Sequence, residues 1–239
     1  MRLNNKLFVL PLLSIFLFGC SINNPATVKP ISLEERLNNA YLDVIETKEE
    51  NIRPLINISL DEKNITWNED NNRVLLFTLH RFPDSYPDGE DITFSWGESW
   101  LCSVKELQGW YVNNKDNIKD PLLRIKQLLG MSHESKNTYI SSLWIGVDDL
   151  IRPAYVTDVN KPMATSFDEN VSEEYKAWFI NQYYYSYDVN KLPWTRLGYT
   201  YDWSEEAKNK YGLSEFIAFK GTTAKVDKTL PVEVFLKTL

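Results

Sequence analysis

The 239-residue chain holds only two cysteines, two histidines and nine glycines. Each shortage removes a class of chemistry. His80 and His133 lack the His-x-x-x-His spacing of zinc sites, and no cysteine pair can complete a tetrahedral set. No metal and no cofactor is therefore expected. The chain contains no Gly-x-Ser-x-Gly elbow and no glycine-rich phosphate loop. It has no internal repeat and no low-complexity tract. Cations are also short: 26 Lys and Arg stand against 33 Asp and Glu, for a formal net charge of −7. Such a chain disfavours nucleic acid and anionic lipid headgroups, so no nucleic-acid partner is expected.

The N-terminus has its own pattern. Arg2 and Lys6 precede an apolar stretch, residues 7–18, which ends in Leu17, Phe18, Gly19 and Cys20. The stretch is about twelve residues long, short of the roughly 20 that a membrane-spanning helix needs. Pro11 weakens it further as a permanent helix. A basic start, a short apolar run and a small residue before the cut make a secretory signal. The residues 17–20 resemble the bacterial lipobox, although Phe18 is larger than the residue usual at its position. The resemblance implies diacylglycerol on the Cys20 thiol, cleavage before Cys20, and fatty acylation, typically palmitate, of the new amine. Two or three buried chains make a stable anchor where one does not. The lipid would make the membrane a partner through Cys20. Ser21 follows, in place of the Asp that commonly retains such proteins in the inner membrane. In a Gram-negative cell this implies an outer-membrane address facing either the periplasm or the exterior.

Three regions result: a signal over residues 1–19, a lipidated Cys20 with a tether over residues 20–31, and a globular domain over residues 32–239. Pro25 and Pro30 bias the tether toward extended structure. Loss of Arg2 and Lys6 makes the charge −9. With Cys20 acylated, Cys102 has no partner. It sits in an apolar stretch, which favours a buried, inert thiol over a reactive one.

The expected fold is a single α+β domain, a mainly antiparallel sheet with about three packed helices. Ser32 with Glu35 reads as a capping box opening a helix to about residue 48. Asp120 and Pro121 open a second helix that Gly130 ends. Ser172 caps a third. Strands are expected over residues 73–80, 91–96, 101–104, 139–147, 197–203, 213–219 and 232–236, with further strand structure at residues 110–112.

Few constellations carry chemistry. Asp84, Asp88, Glu90 and Asp91 form an acidic loop whose spacing matches no EF-hand, so it reads as a solvated turn. Asp148 with Asp149, and Glu205 with Glu206, are adjacent and point apart. Asp149 and Arg152 read as a local ion pair. The segment from Trp194 to Trp203 is the most distinctive. On one strand, Tyr199, Tyr201 and Trp203 would share a face with Leu197, beside Arg196 and Asp202. Trp194, Arg196, Tyr199, Tyr201 and Trp203 are the candidate partner surface. The same ladder could instead pack under a helix.

Two segments, Trp144 to Pro153 and Trp194 to Trp203, with Gly212 to Phe216 after them, are similar to a group of uncharacterised proteobacterial envelope lipoproteins. Members of that group often carry a cysteine after the Arg-Pro pair, where this chain has Ala154, and another near the C-terminus. A disulfide framework of that kind would not carry over. The resemblance implies an envelope role and supplies no chemistry. The expected function is a lipid-anchored, non-enzymatic protein that binds a protein, peptide or glycan partner, an immunity protein being one version. The alternative is a hydrolase acting on an envelope polymer, with no catalytic residue assigned.

Overall fold

The structure, a computed structural model, describes residues 30–239. The signal, Cys20 and most of the tether lie outside the described residues. Helix α1, Leu33–Val44, starts where Ser32 Oγ accepts the Glu35 N–H at 3.1 Å. It buries Leu37, Ala40 and Val44, three and four residues apart. Strand β1, Arg73–His80, is followed by the short β2, Asp91–Thr93, and by β3, Ser99–Ser103. The strand expected over residues 91–96 stops at Thr93, because Phe94 turns into the core and Trp96 turns out to solvent.

Ser103 then ends β3 and caps α2, Val104–Asn114, accepting the N–H groups of Lys105 and Glu106. Residues 110–112 are therefore helical, not extended. Helix α3, Pro121–Leu128, has Asp120 as its cap. Its end is a Schellman motif. Gly130 takes φ +67° and donates to Gln127 O, while Met131 donates to Lys126 O. Strand β4, Tyr139–Gly146, precedes α4, Glu173–Tyr183, which Ser172 caps. One π-helical stretch, Tyr184–Val189, continues it. Strands β5, Tyr199–Tyr201, β6, Tyr211–Ala218, and β7, Thr223–Pro231, lead to the short α5, Val232–Leu236. The expected last strand is thus a helix, and β7 lies just before it, between the candidate strands of a region that reads as β structure. The described residues hold five α-helices, and the two additional ones, α2 and α5, come from segments read as strand.

Residues 31–239 form one α+β unit around a seven-stranded antiparallel sheet. The strand order is β2-β7-β4-β1-β3-β6-β5. Alternation splits the sheet's side chains between two faces. One face carries Val74, Leu76, Leu101, Leu143 and Phe216 under the irregular chain of residues 56–65. The other carries Phe77, Leu79, Cys102 and Ile140 under α2, α3 and α5. Helix α4 packs Phe179 against Trp194 and Ile217 farther along. The Arg124 fork, over the Trp110 ring, grips Asp202 at 2.9 and 2.6 Å and ties α3 to the chain after β5.

Candidate functional site

The centre of the sheet is not fully zipped. Strands β1 and β4 pair along all eight residues. Strands β1 and β3 pair only at Leu76 with Ser103 and Phe77 with Cys102. Beyond Phe77 the two strands part. A cavity of about 690 Å³ fills the gap. Phe77, Thr78, Leu79 and His80 all line it, as do Ser99, Trp100, Leu101 and Cys102. In a strand, alternate residues face opposite sides. Consecutive residues can share a cavity only if it lies between the strands, in the plane of the sheet.

The seam leaves backbone groups unzipped. His80 O accepts from Thr138 on the β4 side, and Leu75 N–H donates away from β4, so Leu79 faces the seam. Asn137 Nδ2 occupies the Leu79 carbonyl at 3.2 Å in place of a strand. Across the gap, Ile217 exchanges both backbone hydrogen bonds with Ile151, so its opposite number, Trp100, directs its own backbone groups toward β1.

One wall is held by a hydroxyl relay. His80 Nδ1 accepts the Phe82 N–H, which places the imidazole proton on Nε2, and Nε2 donates to Ser141 Oγ at 2.7 Å. Ser141 Oγ passes a hydrogen bond to Thr229 Oγ1, which donates to Tyr86 O. Asp88 of the acidic loop accepts the Thr229 N–H, so that carboxylate fastens the loop to β7. Tyr86 lies against His80 with ring centroids 4.1 Å apart. Burial lowers the His80 pKa to about 4 and pushes the Tyr86 phenol up to about 12. Both are uncharged at neutral pH.

The opposite wall is aromatic. Trp100 and Trp194 meet edge to face at 6.0 Å, with Trp178 behind them. Tyr199 and Tyr201 complete it. Of the candidate surface read from the sequence, Trp194, Tyr199 and Tyr201 do line this cavity. Arg196 and Trp203 do not. Arg196, at φ +61°, donates to the Val44 and Ile45 carbonyls and so caps the end of α1 between the Tyr183 and Tyr187 rings. Trp203 packs under α1 and donates its indole N–H to Met131 O at 2.9 Å. Of the two readings of this segment, the flat outer platform does not form: Trp194, Arg196, Tyr199 and Trp203 are buried, and only Tyr201 is half-exposed, as packing under a helix requires. The strand expected over residues 197–203 is only Tyr199–Tyr201, and its register against β6 shifts within that span. Arg152 is also corrected. It is fully buried and donates to Ile56 O and Val159 O, at 2.6 and 2.7 Å, instead of pairing with Asp149.

Two carboxyls carried no signal in the sequence, and of the two only Glu215 lines the cavity. Glu215 stands opposite Cys102 and lines the cavity. Its Oε2 is sealed from solvent and has no hydrogen-bond partner among the described residues. Burial alone pushes its pKa up to about 8. Glu106, on α2, accepts from the Ser214 N–H and hydroxyl at 2.9 and 3.3 Å, yet burial still lifts it to about 7. Cys102 between them is buried and free, and burial, with both carboxyls adding, holds its pKa well above the usual thiol value. Such a thiol is a poor nucleophile at neutral pH.

The chain matches no known family model, no curated protein and no solved structure. What the cleft can do follows from its own chemistry. It encloses a ligand-sized volume with rings, unzipped backbone and one unsatisfied acid. Its histidine, held neutral with both ring nitrogens engaged, is not poised as a base, and its thiol is not ionised.

Proposed function

We propose that the protein is a lipid-anchored envelope binding protein that encloses a small ligand in the cleft between β1 and β3. The observation that carries this is the cavity of about 690 Å³ at the open seam. Ligand pockets run roughly 300–1,000 Å³, are mostly apolar and carry a few convergent polar groups. This cleft has that size and composition. The aromatic residues expected to form an outward partner surface act, on this reading, as an inner wall. The lipid on Cys20 and the envelope location rest on the lipobox resemblance, and binding in place of hydrolysis rests on the unreactive state of His80 and Cys102.

The test uses the mature chain with Cys20→Ser, which lacks the lipid and keeps the whole described unit. The neutral fluorophore N-phenyl-1-naphthylamine is titrated into it. Saturable uptake at one site per chain, with blue-shifted emission, is expected. No uptake would overturn the binding reading.

A further inference from the structure

We infer that the cleft selects ligands bearing a protonated amine, held by the Glu215 carboxylate and by the tryptophan and tyrosine rings around it. This rests on the binding reading above and names its ligand class.

The charge pattern points there first. The cavity lining includes two acids, Glu98 and Glu215, and no lysine or arginine. His80 contributes no positive charge, because both its nitrogens are committed and burial keeps it neutral. An anionic ligand would therefore meet two carboxyls and no cation.

Glu215 is also uncompensated within the fold. Oε2 is buried without a partner. A buried polar atom left unpaired is costly, and nothing internal offsets it. The nearby Arg152 sits over Phe216, so it is on the opposite face of β6 from Glu215. Its Nη2 is spent on two carbonyls. The charged neighbour on α2 is Glu106, of like sign. Ligand N–H donors with a positive charge would supply what the protein withholds.

The walls add a second attraction. Trp96, Trp100, Trp194, Tyr86 and Tyr199 line the same cavity. Aromatic faces attract cations, more strongly when both are desolvated. Rings that share a cavity with a carboxyl favour an ammonium over a neutral ligand of the same shape.

The titratable groups on the elements around β6 bound the pH response. They are Cys102 on β3 and Tyr175 on α4, which feel the Glu215 charge, with Glu106 on α2 and Tyr199 and Tyr201 on β5 farther off. Burial raises Cys102 and all three tyrosines above their usual values, out of the neutral range. Glu106, at about 7, is the one neighbour among these that titrates nearby. Free Glu215 holds its proton up to about pH 8. Binding of an ammonium at pH 7 displaces that proton to solvent and leaves a carboxylate–ammonium pair.

Three probes with one body separate the terms: 2-phenylethylamine, 2-phenylethanol and phenylacetate, each displacing N-phenyl-1-naphthylamine from the Cys20→Ser chain. The amine is expected to displace at about tenfold lower concentration than the alcohol, with phenylacetate weakest. Its affinity should fall roughly tenfold per pH unit below 8, and calorimetry in two buffers should show close to one proton released. Glu215→Gln should still take up the fluorophore and lose both the amine preference and the pH slope. Glu106→Gln should keep both. Equal displacement by amine and alcohol, displacement by none of the three, or an amine preference that survives in Glu215→Gln would overturn the inference while fluorophore uptake leaves the binding reading standing. Failure of uptake itself defeats the binding reading instead.

Discussion

Glu215 shows how one side chain can be invisible in the sequence and dominant in the fold. It is a single glutamate in a strand, with no motif around it. Strand pairing sets it opposite Cys102 and away from water. The folded chain keeps its proton up to about pH 8, whereas an ordinary glutamate releases it near 4.5. The unfolded state therefore binds fewer protons across that window, and stability falls as pH rises through it. Glu106 adds a loss in the same direction up to about pH 7. Urea unfolding of Glu215→Gln and wild type should agree near pH 5. At pH 8.5 the variant should be more stable, by roughly 2–4 kcal/mol. Equal stability at both pH values would show that Glu215 is not held protonated. Arg152 makes the opposite case. Its guanidinium satisfies two buried carbonyls and stacks on Phe216. Arg152→Ala should cost about 3–5 kcal/mol in thermal or urea unfolding, and Arg152→Lys should recover only part, because an ammonium can meet the two carbonyls that share Nη2 but gives up the planar contact with Phe216. Loss of under about 1 kcal/mol would mean those carbonyls find other donors.

At the scale of elements, local signals worked where a side chain acts on its own neighbours. Ser32, Asp120 and Ser172 each accept a backbone N–H three residues on, and each helix begins where its cap stands. Gly130 ends α3 because its positive φ suits glycine. The pattern misled where tertiary contacts outweighed propensity. Trp110, Tyr111 and Val112 favour strands, yet Ser103 caps the segment and Leu107 anchors it as α2. Residues 232–236 alternate like a strand, but they bury Val232, Phe235 and Leu236 on one helical side. The same scale holds the cleft. If β1 and β3 part beyond Phe77, the Leu79 and Trp100 amides lack strand partners. In hydrogen exchange both should lose protection well before Thr78 and Leu101, whose backbones face β4 and β6. A bound ligand should slow them. Uniform protection along β1 and β3 would mean that the seam is closed in solution.

For the whole molecule, composition and the proposed leader would bear on address more than on activity. The proposed anchor is tested in cells with a fatty-acid probe. Wild type should label and sediment with membranes, and Cys20→Ala should do neither. Equal labelling of the two would remove the anchor. The shortage of histidine and cysteine is felt again inside the cleft, where the one histidine is locked and the one thiol is inert, and no lysine or arginine lines the wall.

By itself the sequence determined the α+β class, the capped helix starts and the strands at residues 73–80 and 139–146, because caps and apolar periodicity act over a few residues. It also marked residues 194–203 as unusual, and left open whether they form an outward platform or pack under a helix. Only the tertiary structure decided that Tyr199 and Trp194 face inward, that Arg196 caps a helix some 150 positions away in the chain, and that Glu215 ends in a cavity. Those outcomes depend on which strand lies beside which, and on where β1 and β3 cease to pair. Pairing between segments far apart in the chain is settled by the packing of both sheet faces at once, and leaves no local trace in the residues it brings together.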